Sequence, residues 1–416
     1  MGSPPIRATR ADLRRLAVAK QHLSGGRPTR VTDEGILALV RDLPYVQWDP
    51  VTIVAPSHLL SLWARLGSFS PAQLNRLLWS ERRLLLHWLP MASIVVRDDF
   101  PLYNSLAARY PESLTHSWGS QRTRAQQFLT RYPLLRDRML TELRSGPLTL
   151  GDFKDHSRTK RDDGEWAPSS DVAQMLFHLS MSGEVVVVGH RGAQNLWGLA
   201  RRYVPEWGRR PKLSTPAFEE AAAERAIRAL GTATAPEVTH YFPRGRYEDL
   251  RAALASLEQK RRIHRISVDA PGSREPRYVH EDDLPLLEGG SREGETPRVT
   301  LLPPFDNLLG HPARTQAVFG FQYVREQFLP KAKRRFGTYV LPILYGDRLI
   351  GRIDPRLDKV ARTLHINSVH AEEGAPEGRE VATALGESID QLREFVGATS
   401  VKYTPRVPVG WKAQLR

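Results

Sequence analysis

No cysteine occurs in the 416 residues, which removes disulfides, thiolate nucleophiles, cysteine zinc sites and iron–sulfur clusters at once. Histidine and carboxylate remain as metal ligands. The thirteen histidines contain no HExxH, and His365 and His370 stand five residues apart, a poor spacing for one helix or strand face. No metal or other cofactor is expected. Long apolar runs are also missing: no 18 consecutive apolar residues occur, and the N-terminal "MGSPPIRATRADLRRL" lacks the apolar block of a secretory signal. A soluble, cytoplasmic protein is expected, without membrane contact. Acid is in deficit, with 46 acidic against 60 basic residues, a net charge of +14 and a pI near 10.1. Such a surplus attracts a polyanion, nucleic acid above all. Lysine is scarce too, at ten of those 60 bases. Arginine suits phosphate and guanine, but a GC-rich genome yields the same ratio, so the net charge is the firmer clue.

What is present reads as a globular protein of two to four domains, at 41% hydrophobic and 25% charged. Residues 10 to 145 are helix-rich: "RADLRRLAVAKQHL", "TDEGILALVRDL", "SPAQLNRLLWSERRLLLHW" and "RTRAQQFLTRYPLLRDRMLTEL" carry apolar residues at helical spacing. Ser70 before Pro71 predicts a helix start, and "MASIVVRDDF" predicts a strand ending at Asp98-Asp99. From 146 to 212 a helix at 171 to 182 and two strands around Gly189-His190-Arg191-Gly192 give the outline of a winged helix. That outline recurs over 213 to 290, and the two wings begin 78 residues apart, at Val185 and Ile263. A polar linker at 288 to 297 leads to a β-rich part, 291 to 416, where Tyr345-Gly346-Asp347 reads as a hairpin turn. The fold class expected is α+β.

The stretch "LPYVQWDP" carries the chemistry. Pro50 biases Asp49 toward an extended conformation, so Gln47 and Asp49 share one face while Trp48 anchors the other in the core. A carboxylate beside an amide can stabilise an oxocarbenium-like cation and activate an attacking water, which suits hydrolysis of a glycosidic bond. The alternative is structural: Asp49 caps the following turn, as Asx-Pro segments do.

Four blocks, "VQWDPVTIVAPSHLLSLWARLG", "LLLHWLPMASIV", "LLPPFDNLLGHPARTQAVFGFQY" and "LPKAKRRFGTYVLPILYGDRLIGRIDPR", together resemble the AlkZ/YcaQ-like family of bacterial winged-helix DNA glycosylases. The resemblance runs in order over roughly residues 10 to 370. It implies tandem winged-helix units forming a C-shaped basic scaffold on double-stranded DNA, and excision of purines alkylated at guanine N7 or adenine N3. The family signature is glutamine, an apolar residue, then glutamine or aspartate. Gln47-Trp48-Asp49 places the chain in the aspartate branch, which resembles members that unhook interstrand crosslinks. One departure is Ala55-Pro56-Ser57-His58, where the pattern often has arginine ahead of the histidine.

The resemblance implies a monofunctional, nucleoid-associated, monomeric enzyme with Gln47 and Asp49 catalytic and a shallow, accessible site. Trp48, His58 and His87 are candidates on the substrate side. Arg191, Arg244, Arg246 and the cluster Lys331, Lys333, Arg334 and Arg335 are candidates for phosphate, with plain exposed charge as the alternative, and Asp347 and Arg348 are candidates for probing the DNA beside the lesion, with an ordinary surface hairpin as the alternative. Two rivals stand against this reading. A non-catalytic winged-helix regulator explains the charge but not the Gln-Trp-Asp segment, and a nuclease needs a carboxylate cluster that the sequence does not offer.

Overall fold

A computed structural model describes residues 6–89, 91–115, 119–153, 170–208, 213–268, 275–288, 297–404 and 406–415. Nearly all of the expected linker, and the Pro-Gly loop of the third unit, lie outside the described residues.

One order of elements occurs three times. First come the helix Asp33–Asp42, the strand Val46–Gln47, the helices Ser57–Leu66 and Pro71–Asn75, and the hairpin Leu84–Trp88 with Ala92–Val96. Next are the helix Pro133–Glu142, a single bridge at Leu148, the helical turn Leu150–Asp152, the helix Asp171–Met181, and the hairpin Val185–Arg191 with Gln194–Leu199. The third set is Thr215–Leu230, Thr232–Thr234, Ala235–Tyr241, Leu250–Gln259, and Ile263–Val268 with Arg277–His280. Each time the short first strand pairs with the last: Val46 with Ile94, Leu148 with Trp197, Thr232 with Val279. The sets differ in the link from first strand to next helix. Nine residues separate Gln47 from Ser57, and none separates Thr234 from Ala235.

Local chemistry explains the boundaries. Thr32, Ser170, Ser214, Thr234 and Asp249 accept hydrogen bonds from the first turns of their helices. Ser70 occupies the cap position before Pro71 without a side-chain bond. The expected continuous helix through "RRLLLHW" is corrected: the helical stretch stops at Ser80, Arg82 turns the chain at φ 53°, and Leu84–Trp88 is a strand. An unbroken apolar run fits a buried strand as well as a buried helix, and pairing with Ala92–Val96 decides it. The second hairpin also differs: its turn falls after Arg191, with a register shift between Val187 and Gly189, so His190 stays in the strand. The last part of the chain forms a five-stranded sheet from Val299–Leu301, Leu341–Tyr345, Arg348–Asp358, Thr363–Ala371 and Ser400–Tyr403, with the helix Arg379–Phe395 against it. Gly346, at φ 58°, makes the tight hairpin turn.

Apolar clusters cross these sets. Val46, Ile94 and Trp63 share one core with Ile343, Ile353 and Leu385 of the last part, whereas Leu85 and Val95 share another with Phe218 and Ile227. Between them lies a buried polar hub. Arg65 forks onto Asp306 at 2.6 and 2.9 Å, both side chains fully enclosed, and its third nitrogen donates to the Gln21 carbonyl. Asn307 donates to the carbonyls of Leu43 and Tyr45, and Tyr241 also donates to that of Leu43. The hub thus holds the chain immediately before the strand Val46–Gln47. Removing one member of a buried pair strands the other charge, at about 3–5 kcal/mol. Asp306→Ala should therefore lower the unfolding free energy in urea by about that much, and the joint change Arg65→Met with Asp306→Leu should recover most of it.

Candidate functional site

The short strand Val46–Gln47 is the edge of a three-stranded sheet, and its register fixes the neighbours of the motif. Gln47 lies opposite Ser93, which lies opposite His87, forming one cross-strand row. Trp48 continues the pairing by donating its backbone N–H to the Ala92 carbonyl at 2.8 Å. Beyond it the chain leaves the sheet, and Ile53 is held by the Leu357 N–H of the last domain's sheet.

Trp48 is the middle of a ring stack. His58 lies parallel to it at 4.0 Å, His190 lies on it at 5.6 Å, and Trp79 meets it edge-on at 6.1 Å. It is only half-buried, packed against two apolar clusters. The anchor expected inside one core is therefore a clamp between sets, because His190 comes from the second hairpin.

Asp49 is only 8% exposed, deeper than the accessible site expected, though residues 50 to 52 around it are exposed. One carboxylate oxygen accepts the Val51 N–H at 3.1 Å, so the Asx turn considered as the structural alternative is present. The other oxygen is buried with no hydrogen-bond partner among the described residues, while the Tyr339 hydroxyl lies against Ser57 and the His58 ring against the Asp49 backbone. Burial pushes the Asp49 pKa up, and the Val51 N–H opposes it only in part. Burial likewise drives His58 down to about 3, with the nearby His190 adding to the shift. His58 is therefore neutral near pH 7 and leaves the carboxylate charge uncompensated. The Tyr339 hydroxyl is raised by burial and by the Asp49 charge, so it stays protonated. No hydrogen bond joins Gln47 to Asp49 among the described residues.

The other expected site residues divide. His87 is buried, its ring 5.2 Å from that of Tyr103, and burial holds it near a pKa of about 3. Arg246 requires correction as a phosphate contact. It is 6% exposed, enclosed beside His87 and against Met181 Sδ at 3.9 Å. Arg191 is exposed at its hairpin tip but pairs with Asp152 at 2.9 Å. Arg244 lines a cleft with His240, His311 and Tyr278. Lys331, Lys333 and Arg335 are exposed, while Arg334 is half-buried and donates to the Leu329 carbonyl. At the hairpin expected to probe DNA, Asp347 pairs with Arg14 at 3.2 Å and the exposed Arg348 donates to the Gly374 carbonyl.

Sequence reasoning missed His190, Trp79, Ser57 and Tyr339 as neighbours of the motif. Tyr339 lies inside a quoted block, "RRFGTYVLP", and a buried hydroxyl in a continuous apolar stretch was the available signal. His190 had none, since only the second hairpin's register turns it toward Trp48.

Two comparisons bear on identity. The family model described as "DNA glycosylase AlkZ-like" matches residues 40–395. Among solved structures, a DNA glycosylase AlkZ of Streptomyces sahachiroi is similar at a TM-score of 0.64 and 16% identity, covering 97% of this chain and 100% of that one. At that identity the structural likeness speaks for the fold, whereas the family model spans most of the sequence and includes the whole Gln-Trp-Asp segment: the chain belongs to the AlkZ-like DNA glycosylase family.

Proposed function

We propose that the protein is a monofunctional DNA glycosylase for cationic alkylated purines, N7-alkylguanine and N3-alkyladenine, and that it unhooks interstrand crosslinks built on such bases. The carrying observation is the Asp49 carboxylate, buried and with one oxygen unclaimed among the described residues. The three recurring sets are read as winged-helix units on a basic scaffold for double-stranded DNA, with the monomer as the working form in the cytoplasm.

The reaction follows from the leaving group. A purine alkylated at N7 already carries a positive charge, so breaking its bond to C1′ releases a neutral base without a general acid. The sugar is left as an oxocarbenium-like cation. An ionised Asp49 stabilises that cation and takes a proton from the water whose oxygen bonds to C1′, while the Gln47 amide orients the water. The neutral imidazoles of His58 and His190 suit this task, because a cation beside Asp49 would oppose the developing positive charge. Ser57 and Tyr339 offer further hydrogen bonds to the same water.

Asp49→Asn should slow single-turnover release of N7-methylguanine by at least about a hundredfold, with DNA affinity retained. Loss of binding in parallel with release would assign Asp49 a structural role instead. A base must be ionised to act, and the Asp49 pKa is raised. The acid limb of the rate profile should therefore sit above the ordinary aspartate range, with activity lost as pH falls through it. An unshifted limb would exclude Asp49 as the titrating group.

Lys359 is the lysine to watch, since its Nζ lies 3.5 Å from Thr52 Oγ1. The monofunctional reading predicts no covalent protein–DNA adduct on borohydride treatment during turnover. An adduct abolished by Lys359→Ala would reverse it.

A further inference from the structure

One surface feature is unused by the reaction described above. Phe328 is 71% exposed and Val324, four residues earlier, is 55% exposed. Exposed apolar surface rimmed by polar and charged residues is the mark of an interaction site. Three exposed cations follow directly, Lys331, Lys333 and Arg335. Among the described residues Lys331 and Lys333 have no anionic partner.

The segment is tied toward the motif at both ends. At its start, Arg325 donates to the Pro304 carbonyl at 2.8 Å and covers the Phe305 ring at 5.3 Å. Phe305 in turn meets Phe328 at 6.1 Å. Two residues on, Asn307 holds the Tyr45 carbonyl at 2.9 Å, next to the strand Val46–Gln47. At its end, the Glu326 carboxylate gathers the N–H groups of Arg335, Phe336 and Gly337 at 2.8 to 3.1 Å. Asp354 then takes those of Thr338 and Tyr339 at 3.0 and 2.8 Å. A Cβ at Gly337 would lie 2.2 Å from the Asp354 carboxyl carbon, so the close approach needs glycine. Tyr339 is the residue whose hydroxyl stands near Asp49. The loop from 325 to 339 thus starts beside Tyr45, ends beside Asp49, and exposes an aromatic ring and three cations between them.

The geometry points to Phe328 as a stacking wedge: it enters the base stack beside the damaged nucleotide while Lys331, Lys333 and Arg335 hold the flanking phosphates. Apolar wedges with basic flanks unstack duplex steps in this way, and the two carboxylate clamps keep the ring fixed before DNA arrives. The inference rests on the glycosylase reading and adds a positioning residue to it. Because Phe328 makes no proton transfer, its effect is on how the lesion is presented.

The test uses a duplex with 2-aminopurine next to N7-methylguanine. Wild type should raise the 2-aminopurine fluorescence on binding. Phe328→Ala, a change at an exposed position, should abolish the rise and weaken binding by about tenfold, within the range of one base–aromatic stack. Phe328→Trp should restore both. Lys331→Ala with Lys333→Ala should leave the fluorescence rise intact while lowering the slope of log affinity against log salt by about two. A full fluorescence rise with Phe328→Ala overturns the wedge. Base release by wild type with no rise overturns the wedge but leaves the glycosylase reading standing, and a rise without base release does the reverse.

Discussion

The fork of Arg65 onto Asp306 is the contact on which the rest of the arrangement depends. It sits where the first set of elements, the third set and the last sheet converge, and both partners are wholly enclosed. A pair so deep gains little net stability by itself, since desolvation offsets its attraction. What it supplies is register. Asp306 also caps the turn that carries Asn307, and Asn307 with Tyr241 grips the carbonyls just before the motif. Four residues later the chain reaches Asp49, so its placement is set from the interior.

Burial then gives Asp49 surroundings that the composition alone does not foretell. The protein as a whole is strongly cationic, yet the surroundings of Asp49 are made of neutral imidazole, hydroxyl and indole groups. In the proposed reaction, a carboxylate in such company keeps its charge available to a transient sugar cation, whereas a paired arginine would offset it. The positive net charge favours a polyanion such as DNA, and in the proposed reaction Asp49 acts without an ion-pair partner among the described residues. Both demands can be met because a buried arginine such as Arg65 is engaged elsewhere, by Asp306, while Lys331 and Lys333 lie exposed.

Much of this was legible in the chain and some was not. Amphipathic helices with polar caps, such as 171–181 and 250–259, follow from short-range pattern, and the Gly346 turn follows from backbone freedom. The motif could be singled out because proline restricts its conformation and the four blocks carry a family resemblance. The strand at Leu84–Trp88 was not legible, since a run of apolar residues has no period to read. Burial of Arg246 and the pairing of Asp347 with Arg14 were also out of reach, because both depend on contacts between distant parts of the chain. The same is true of His190 on Trp48.

The unequal links after the first strands carry a final consequence. In the third set the helix begins at once, whereas in the first set nine residues intervene, and Trp48, Asp49 and Pro50 are the first of them. The carboxylate proposed to react therefore belongs to an enlarged connector and not to the repeated framework. An architecture of this kind can be copied along a chain for grip alone while reactivity is confined to one copy.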